Sequence, residues 1–196
     1  MKFKFPKQIV LGLTGGMLSG KSTVLKLFAK KGAYTLSCDE LVREISARPS
    51  VQKKIEELWG SAEKQFLAQK IFSQPNARMQ LEELLHPLVI QEISKCLKAD
   101  KTLLRVVEVP LLFEAHLGEE FDLTLAVGAP QSVLLKRLAA RNIKKEDFKK
   151  RSAAQFSQEK KMALADMSLL NDGSLAQLEK KVEHIYRALV QIYQVK

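Results

Sequence analysis

The distribution of apolar and polar positions divides the chain into short apolar runs and longer amphipathic segments. Residues 8–14 form an almost wholly apolar run, which is typical of a buried strand. Apolar side chains then recur at helical spacing over residues 24–28, and Gly32 supplies a stop signal. The chain is therefore predicted to begin with a strand, a glycine-rich turn and a helix.

Strand-type and helix-type segments continue to alternate down the chain. Further strands are predicted at residues 33–38, 103–110, 121–127 and 167–170. Residues 51–100 are predicted to be helical throughout, and a helix follows each of the last two strands. Because such alternation implies a parallel sheet covered by helices on both faces, we predict a three-layer α/β fold with a five-stranded parallel sheet.

The length of the chain favours one domain with specialised parts. A chain of 196 residues is long enough to bury a substantial core. We predict a single domain over residues 1–196, with a core of residues 8–48, 102–135 and 166–196, a helical lobe of about residues 49–101 and a lid of about residues 136–165.

The last helix carries apolar residues at alternating spacings of three and four over residues 175–192. This spacing permits a dimerising coiled coil, but the segment is shorter than the three or four heptads that such an assembly usually needs. Ser174 and Gln177 form a capping box at its start. We expect the helix to pack on the sheet, and the protein to be a monomer or a weak homo-oligomer.

The turn after the first strand carries the most specific motif. Residues 15–22 fit the pattern G-x-x-x-x-G-K-[ST] between a predicted strand and a predicted helix, which is the context of a phosphate loop. Lys21 is expected to reach the β- and γ-phosphates of a nucleoside triphosphate, and the Ser22 hydroxyl to ligate Mg²⁺. The residues predicted to bind ATP here are Gly16, Leu18, Ser19, Gly20, Lys21, Ser22 and Thr23.

Composition and charge narrow the classes of partner. With 46% apolar and 28% charged residues and no apolar run of about 20 residues, the chain is predicted to be cytoplasmic and not to bind a membrane. Two cysteines without metal-type spacing agree with a reducing compartment. The net charge of +10 is concentrated in residues 136–161, where ten basic residues face three acidic ones.

The basic segment is compatible with nucleic acid or with a small polyanion. Only Phe148 and Phe156 interleave with its charges, so no stacking platform for bases is evident and a small anionic substrate is favoured over nucleic acid. Because arginine suits bidentate phosphate contact, the phosphate-binding candidates are Arg137, Arg141 and Arg151. The lysines of the segment are expected to be a solvated field that steers anions.

Carboxylates follow two of the predicted strands. Asp39 comes directly after the second strand, where it would either orient and deprotonate an attacking hydroxyl or cap a helix. Glu108 lies near the end of the third strand and is a weaker candidate for assisting a metal than an Asp would be. Glu114 would either hold a substrate or cap a helix.

Several motifs in one order resemble the dephospho-coenzyme A kinase family, from the phosphate loop to near the C-terminus. The matching stretches are residues 12–23, Asp39 with residues 42–44, residues 81–87 with His86-Pro87, residues 109–114, 137–141 and 151–155, Ala165-Asp166 and residues 171–175. The loop alone is shared by many unrelated proteins, but the set in this order is specific. The chain departs from the family where Leu18 replaces a usual Gly, Ser37 a usual Asp and Lys64 a usual Arg.

The resemblance implies a P-loop kinase that transfers the γ-phosphate of ATP, held with Mg²⁺, to the ribose 3′-hydroxyl of dephospho-coenzyme A. It places the catalytic base on Asp39 and a phosphate-contacting lid arginine on Arg141, which with Lys21 complete the catalytic set. It places the acceptor-lobe motif on His86-Pro87. The acceptor contacts that we predict are Asp39, His86, Pro87, Leu112, Glu114 and Arg137. Two alternatives stay open: a related small-molecule or nucleoside monophosphate kinase, and a non-catalytic binder of nucleotide or nucleic acid.

Overall fold

A parallel five-stranded sheet forms the centre of the computed structural model, which describes residues 3, 5, 8–153 and 155–194. Its strands are β1 (Ile9–Gly15), β2 (Tyr34–Ser37), β3 (Leu104–Glu108), β4 (Leu123–Gly128) and β5 (Met167–Leu170). Their spatial order is β2-β3-β1-β4-β5, and every neighbouring pair is parallel. The predicted sheet is confirmed, and all the carboxyl ends of its strands lie at one edge.

Helices occupy most of the chain between the strands. They are α1 (Lys21–Lys30), α2 (Cys38–Ser46), α3 (Pro49–Trp59), α4 (Lys64–Ser73), α5 (Pro75–Ala99), α6 (Gln131–Ala140), α7 (Lys145–Ala153), α8 (Gln158–Leu164) and α9 (Leu175–Gln194), with a short 3₁₀ turn at Gly118–Glu120. The helical character predicted for residues 51–100 is confirmed, although Gly60, with a φ of 80°, ends α3 and separates it from α4. The structure adds α7 and α8, for which the basic segment showed no clear periodicity.

The chain divides into two compact units. The first comprises Met1–Ser37 and Asp100–Lys196 and contains the sheet, and the second is the helical unit Cys38–Ala99. The sequence placed residues 38–48 with the core, whereas in the structure α2 groups with the helices that follow it. In the helical unit α2 packs against α5, and α5 continues as one helix through Pro87.

Alternate residues of β1 serve two different layers. Ile9, Leu11 and Leu13 are fully buried in an apolar cluster with side chains of α1 and α9, such as Phe28 and Val182. Strand geometry turns the intervening residues to the opposite face. There Gly12 permits close packing, because a Cβ at this position would lie 2.9 Å from Phe121 Cγ and 3.3 Å from Leu112 Cδ1. The sheet is thus covered on both faces, as predicted.

The last helix begins with the predicted capping box. The Ser174 backbone N–H donates to Gln177 Oε1 at 2.8 Å, and the Gln177 N–H donates back to Ser174 Oγ at 3.3 Å. Leu178, Val182 and Leu189 are buried in the core. The apolar stripe of α9 therefore packs on the sheet.

Candidate active site

The loop between β1 and α1 occupies the carboxyl edge of the sheet. Gly15 ends β1 and Lys21 begins α1, so five residues make the turn. Gly20 has a φ of 104°, a left-handed conformation that favours glycine. A Cβ on Gly15 would lie 2.2 Å from the Val127 carbonyl oxygen, so a larger residue does not fit beside β4. The loop sits at the N-terminus of α1, where backbone N–H groups and the helix dipole favour an anion.

Leu18 occupies a left-handed position in this loop. Its φ is 64°, where a Cβ crowds the following carbonyl and costs about 1–2 kcal/mol. Its side chain is nonetheless buried, with 9% of its surface exposed. The sequence left open whether this position needs a positive φ, and the structure settles that it does. The burial of the leucine side chain offsets the backbone strain.

Variants at Leu18 measure this strain. We expect Leu18→Gly to be more stable than Leu18→Ala by about 1 kcal/mol, because both lose the buried side chain but only glycine is unstrained at positive φ. Ordinarily alanine is the more stabilising of the two residues. Urea unfolding of both variants gives the difference in the free energy of unfolding. A more stable alanine variant would contradict the left-handed assignment.

Lys21 and Ser22 make contacts that link the loop to two strands. Lys21 Nζ donates to the carbonyl oxygens of Gly15 and Gly16, at 3.1 and 3.0 Å. The Ser22 hydroxyl donates to Glu108 Oε1 at 3.3 Å. Glu108 ends β3 and is 4% exposed. A hydroxyl and a carboxylate, both of which are oxygen ligands suited to a hard metal ion, therefore lie together beside the phosphate loop.

Glu108 is the functional candidate that sequence reasoning undervalued. Its signal was a buried strand ending in an acid, and it ranked low because Asp is the commoner residue there. Ser37, which stands where the resembled family has Asp, lies opposite Glu108 in the register of β2 and β3. A carboxylate is therefore still present at this edge, on the neighbouring strand.

Arg137 reaches the loop from α6. Its Nη1 donates to the carbonyl oxygens of Leu18 and Ser19, at 2.9 Å each. Burial, and to a smaller extent the charge of Arg141, lower the pKa of the Arg137 guanidinium from its ordinary value. Arg137 was predicted to contact the acceptor, whereas the structure places it against the backbone of the phosphate loop. Arg141, at the C-terminal end of α6, is exposed.

Leu112 and Glu114, also predicted as acceptor contacts, lie inside the sheet-containing unit. Leu112 is fully buried next to Gly12. Glu114 Oε1 accepts from the Phe156 backbone N–H at 2.8 Å and lies 3.0 Å from Lys161 Nζ. The Glu114 carboxylate therefore connects the segment after β3 to the start of α8, and its part in binding an acceptor stays a prediction.

Lys161 corrects the expected role of the lysines in the basic segment. Its side chain is completely buried, and its ammonium group also donates to the Pro110 carbonyl oxygen. The expectation that these lysines form a solvated field is wrong for Lys161. The reason is the ion pair with Glu114, which compensates for the loss of water around both charges.

Three predicted site residues lie in the helical unit. Asp39 is exposed in the first turn of α2, next to Glu40, where a carboxylate interacts favourably with the helix dipole. His86 and Pro87 are both exposed in α5. The side chains of Lys64 and Arg151, which the sequence singled out, lie outside the described part of the structure.

Asn171 is a contact to the loop that sequence reasoning missed. It follows β5, and its Nδ2 donates to the Ser19 carbonyl oxygen at 2.8 Å. The Asn-Asp-Gly run at residues 171–173 indicated a turn, and residues 171–175 matched the resembled family, but neither observation assigned a contact to Asn171. No local signal distinguishes an asparagine that shapes a turn from one that supports a loop 152 residues earlier in the chain.

Two kinds of feature are absent from the described part of the chain. Within residues 8–153 and 155–194, no helix is both long and apolar enough to cross a membrane. In the same part of the chain, no cluster of three or more His, Cys, Asp and Glu side chains is arranged to hold a metal ion.

Comparison with known proteins identifies the family. The family model described as dephospho-CoA kinase matches residues 9–177. The chain belongs to the dephospho-CoA kinase family. A curated relative named dephospho-CoA kinase, from Chlorobaculum tepidum, is 32% identical over 98% of this chain and 99% of its own length. The kinase family thus accounts for nearly the whole chain.

Solved structures agree with this kinase fold. A protein from Thermus thermophilus has a TM-score of 0.83 at 32% identity, covering 95% of this kinase and 99% of its own chain. The dephospho-CoA kinase from Campylobacter jejuni has a TM-score of 0.63 at 20% identity, covering 93% of this kinase and 98% of its own chain, which supports the fold alone. The predicted three-layer P-loop kinase fold is confirmed.

Proposed function

We propose that this protein transfers the γ-phosphoryl group of Mg-ATP to the ribose 3′-hydroxyl of dephospho-coenzyme A. The observation that carries the proposal is the phosphate loop, with Lys21 held on the Gly15 and Gly16 carbonyl oxygens and Ser22 on Glu108, in a member of the dephospho-CoA kinase family. The backbone of residues 16–23 and the dipole of α1 supply a binding site for the β- and γ-phosphates.

The residues at the loop suit Mg²⁺. Magnesium in kinases is usually held by one or two protein oxygen ligands together with substrate phosphates. The Ser22 hydroxyl and the Glu108 carboxylate, 3.3 Å apart, are ligands of this kind. When bound, the ion neutralises the charge of the phosphates during transfer.

The transfer is an in-line displacement. The acceptor hydroxyl oxygen attacks the γ-phosphorus, the bond from that phosphorus to the oxygen bridging the β- and γ-phosphates breaks, and ADP leaves. Asp39 orients the hydroxyl and receives its proton, which is lost late because the transition state is loose. Lys21 and Arg141 stabilise the charge spread over the transferring group.

The proposed acceptor contacts differ in how exposed their side chains are. His86 and Pro87 are exposed and accessible to a substrate, and they stay our candidates together with Asp39. Leu112, Glu114 and Arg137 are predicted contacts as well. In the sheet-containing unit Leu112 is fully buried and Glu114 forms an ion pair. Arg137 donates to a carbonyl oxygen of the phosphate loop. ATP and dephospho-coenzyme A are the proposed partners of a cytoplasmic protein that is a monomer or a weak homo-oligomer.

ADP release tests the proposed reaction. With Mg-ATP, we expect ADP to form only when dephospho-coenzyme A is added, and mass spectrometry to identify coenzyme A as the product. The Lys21→Ala variant serves as a control, which should lose both nucleotide affinity and turnover because the phosphates lose a charged partner. If ATP binds but no acceptor-dependent ADP forms, the proposed acceptor is wrong. A panel of nucleosides would then be tested as acceptors.

Salt dependence tests the nucleic-acid alternative. The ten basic residues between Lys136 and Lys161 are the observation that favours it. Binding of nucleic acid releases counterions, so its affinity falls steeply as salt rises. Tight binding of a single-stranded oligonucleotide with such a slope, together with no kinase activity, would favour that alternative.

A further inference from the structure

Asn171 is held in place by hydrogen bonds of both its backbone and its side chain. Its backbone N–H donates to the Gly128 carbonyl oxygen at 2.8 Å, at the last pair of β4 and β5, which is Gly128 with Leu170. Its Nδ2 donates to the Ser19 carbonyl oxygen at 2.8 Å, and the residue is 4% exposed. The contact therefore connects the sheet to the phosphate loop through a short, buried amide.

The Ser19 carbonyl oxygen receives a second donor. Arg137 Nη1 lies 2.9 Å from this oxygen and 2.9 Å from the Leu18 carbonyl oxygen. A carbonyl oxygen has two lone pairs, so Asn171 and Arg137 together satisfy that of Ser19. Two consecutive peptide groups of the loop are thus fixed by side chains from different parts of the chain.

A fixed carbonyl also fixes the N–H group of the same peptide. In a planar trans peptide the C=O and the following N–H point in opposite directions. Donors on the Leu18 and Ser19 carbonyl oxygens therefore turn the N–H groups of Ser19 and Gly20 toward the opposite side. The Ser19 N–H donates across the loop to the Gly16 carbonyl oxygen at 3.3 Å. That bond leaves the Gly20 N–H, in the peptide whose carbonyl oxygen accepts from Asn171, as the group that can be directed at a ligand.

We propose that Asn171 is a positioning residue of the phosphate loop, which together with Arg137 aims the N–H group of Gly20 at the phosphates of the nucleotide. The inference rests on the proposed binding of ATP. The donors also polarise the peptide groups that they hold, and this strengthens the N–H groups on the other side. Asn171 acts through the loop backbone and does not touch the nucleotide in this role.

The packing around Gly20 supports a fixed position for the amide. A Cβ on Gly20 would lie 2.3 Å from Asn171 Nδ2 and 3.5 Å from Arg137 Nη1. Both donors therefore lie directly against the last residue of the loop. Because the amide is packed on this backbone and is not a mobile surface group, losing it changes the loop itself.

Two variants of Asn171 test the proposal, with calorimetric binding of Mg-ATP as the first measurement. Asn171→Ala removes the donor, and we expect Kd and KM for ATP to rise by about 3- to 10-fold, the effect of one buried hydrogen bond. Asn171→Asp keeps the volume but sets a carboxylate against a carbonyl oxygen, so a rise of about 10-fold or more is expected. KM for dephospho-coenzyme A should stay within about 2-fold.

The adjacent Asp172 supplies the matched control. Asp172 lies on the same turn as Asn171 and forms an exposed ion pair with Lys181. Asp172→Asn removes this ion pair and should leave ATP affinity unchanged. A structural role alone would lower the unfolding temperature of the Asn171 variants but leave the ATP affinity of the folded protein unchanged, and that result overturns the proposal. Loss of folding in both variants overturns it as well, because Asn171 would then be a stability residue.

The wild-type protein separates this inference from the proposed function. If it binds Mg-ATP but does not phosphorylate dephospho-coenzyme A, the proposed reaction fails, and weaker ATP binding by the Asn171 variants still supports the positioning role. If it does not bind Mg-ATP, both the reaction and the positioning role are overturned.

Discussion

Replacing Asp39 with Asn should lower kcat by about 100-fold or more and leave the affinity for Mg-ATP nearly unchanged. The amide cannot take the proton of the attacking hydroxyl, and it orients that hydroxyl less well than a carboxylate does. Asp39 is exposed in the first turn of α2, so its loss should disturb no packing. Steady-state kinetics with both substrates, together with calorimetric ATP binding, give the two quantities.

Glu40→Gln is the matched control for Asp39→Asn. Glu40 is the next residue in the same helical turn and is exposed, and its carboxylate lies 3.9 Å from Arg43 Nη2. The substitution removes the same charge from the helix N-terminus, so an effect of charge alone would appear in both variants. If Asp39→Asn retains wild-type kcat, Asp39 serves only the helix terminus and the proposed base is wrong.

Replacing Lys161 with Met should lower the free energy of unfolding by about 3–5 kcal/mol, the usual cost of removing one partner of a buried ion pair. Lys161 is completely buried 3.0 Å from Glu114, whose side chain is 14% exposed. Without the ammonium group, the carboxylate keeps the Phe156 N–H as a donor but loses its compensating charge. Urea unfolding at neutral pH measures the loss.

Lys160 and Glu114 provide the controls for Lys161. Lys160→Met makes the same substitution one residue earlier, at an exposed lysine that stacks on Phe156, and should cost at most about 1 kcal/mol. The double variant Lys161→Met with Glu114→Gln removes both charges and should be more stable than Lys161→Met alone. A Lys161→Met variant as stable as wild type would show that the pair contributes nothing to folding.

Most of the fold could be predicted because its signals are local. The three central strands β1, β3 and β4 are buried along nearly their whole length, so they appear in the sequence as largely apolar runs. The phosphate loop is equally local, since its glycines, Lys21 and Ser22 lie within eight residues between one strand and one helix. The capping box of α9 involves residues only three apart and was predicted correctly.

The basic segment shows where local signals failed. Its many charged residues hide the helical periodicity of α7 and α8, because most described side chains of α7 are exposed and the buried residue of α8 is itself a lysine, Lys161. Lys160 and Lys161 are identical in the sequence, yet one is exposed and the other completely buried. Their difference depends on Glu114, which comes from a distant part of the chain.

The sequence by itself determined the α/β class, the phosphate loop and the family, because apolar periodicity and contiguous motifs depend only on neighbouring residues. The tertiary structure alone decided that Leu18 has a positive φ and that Glu108 accepts a hydrogen bond from Ser22. It also decided that Arg137 and Asn171 donate to carbonyl oxygens of the phosphate loop. Those contacts join residues 86 to 152 positions apart. Which distant groups meet is set by the order and register of the strands, and no local pattern encodes that order.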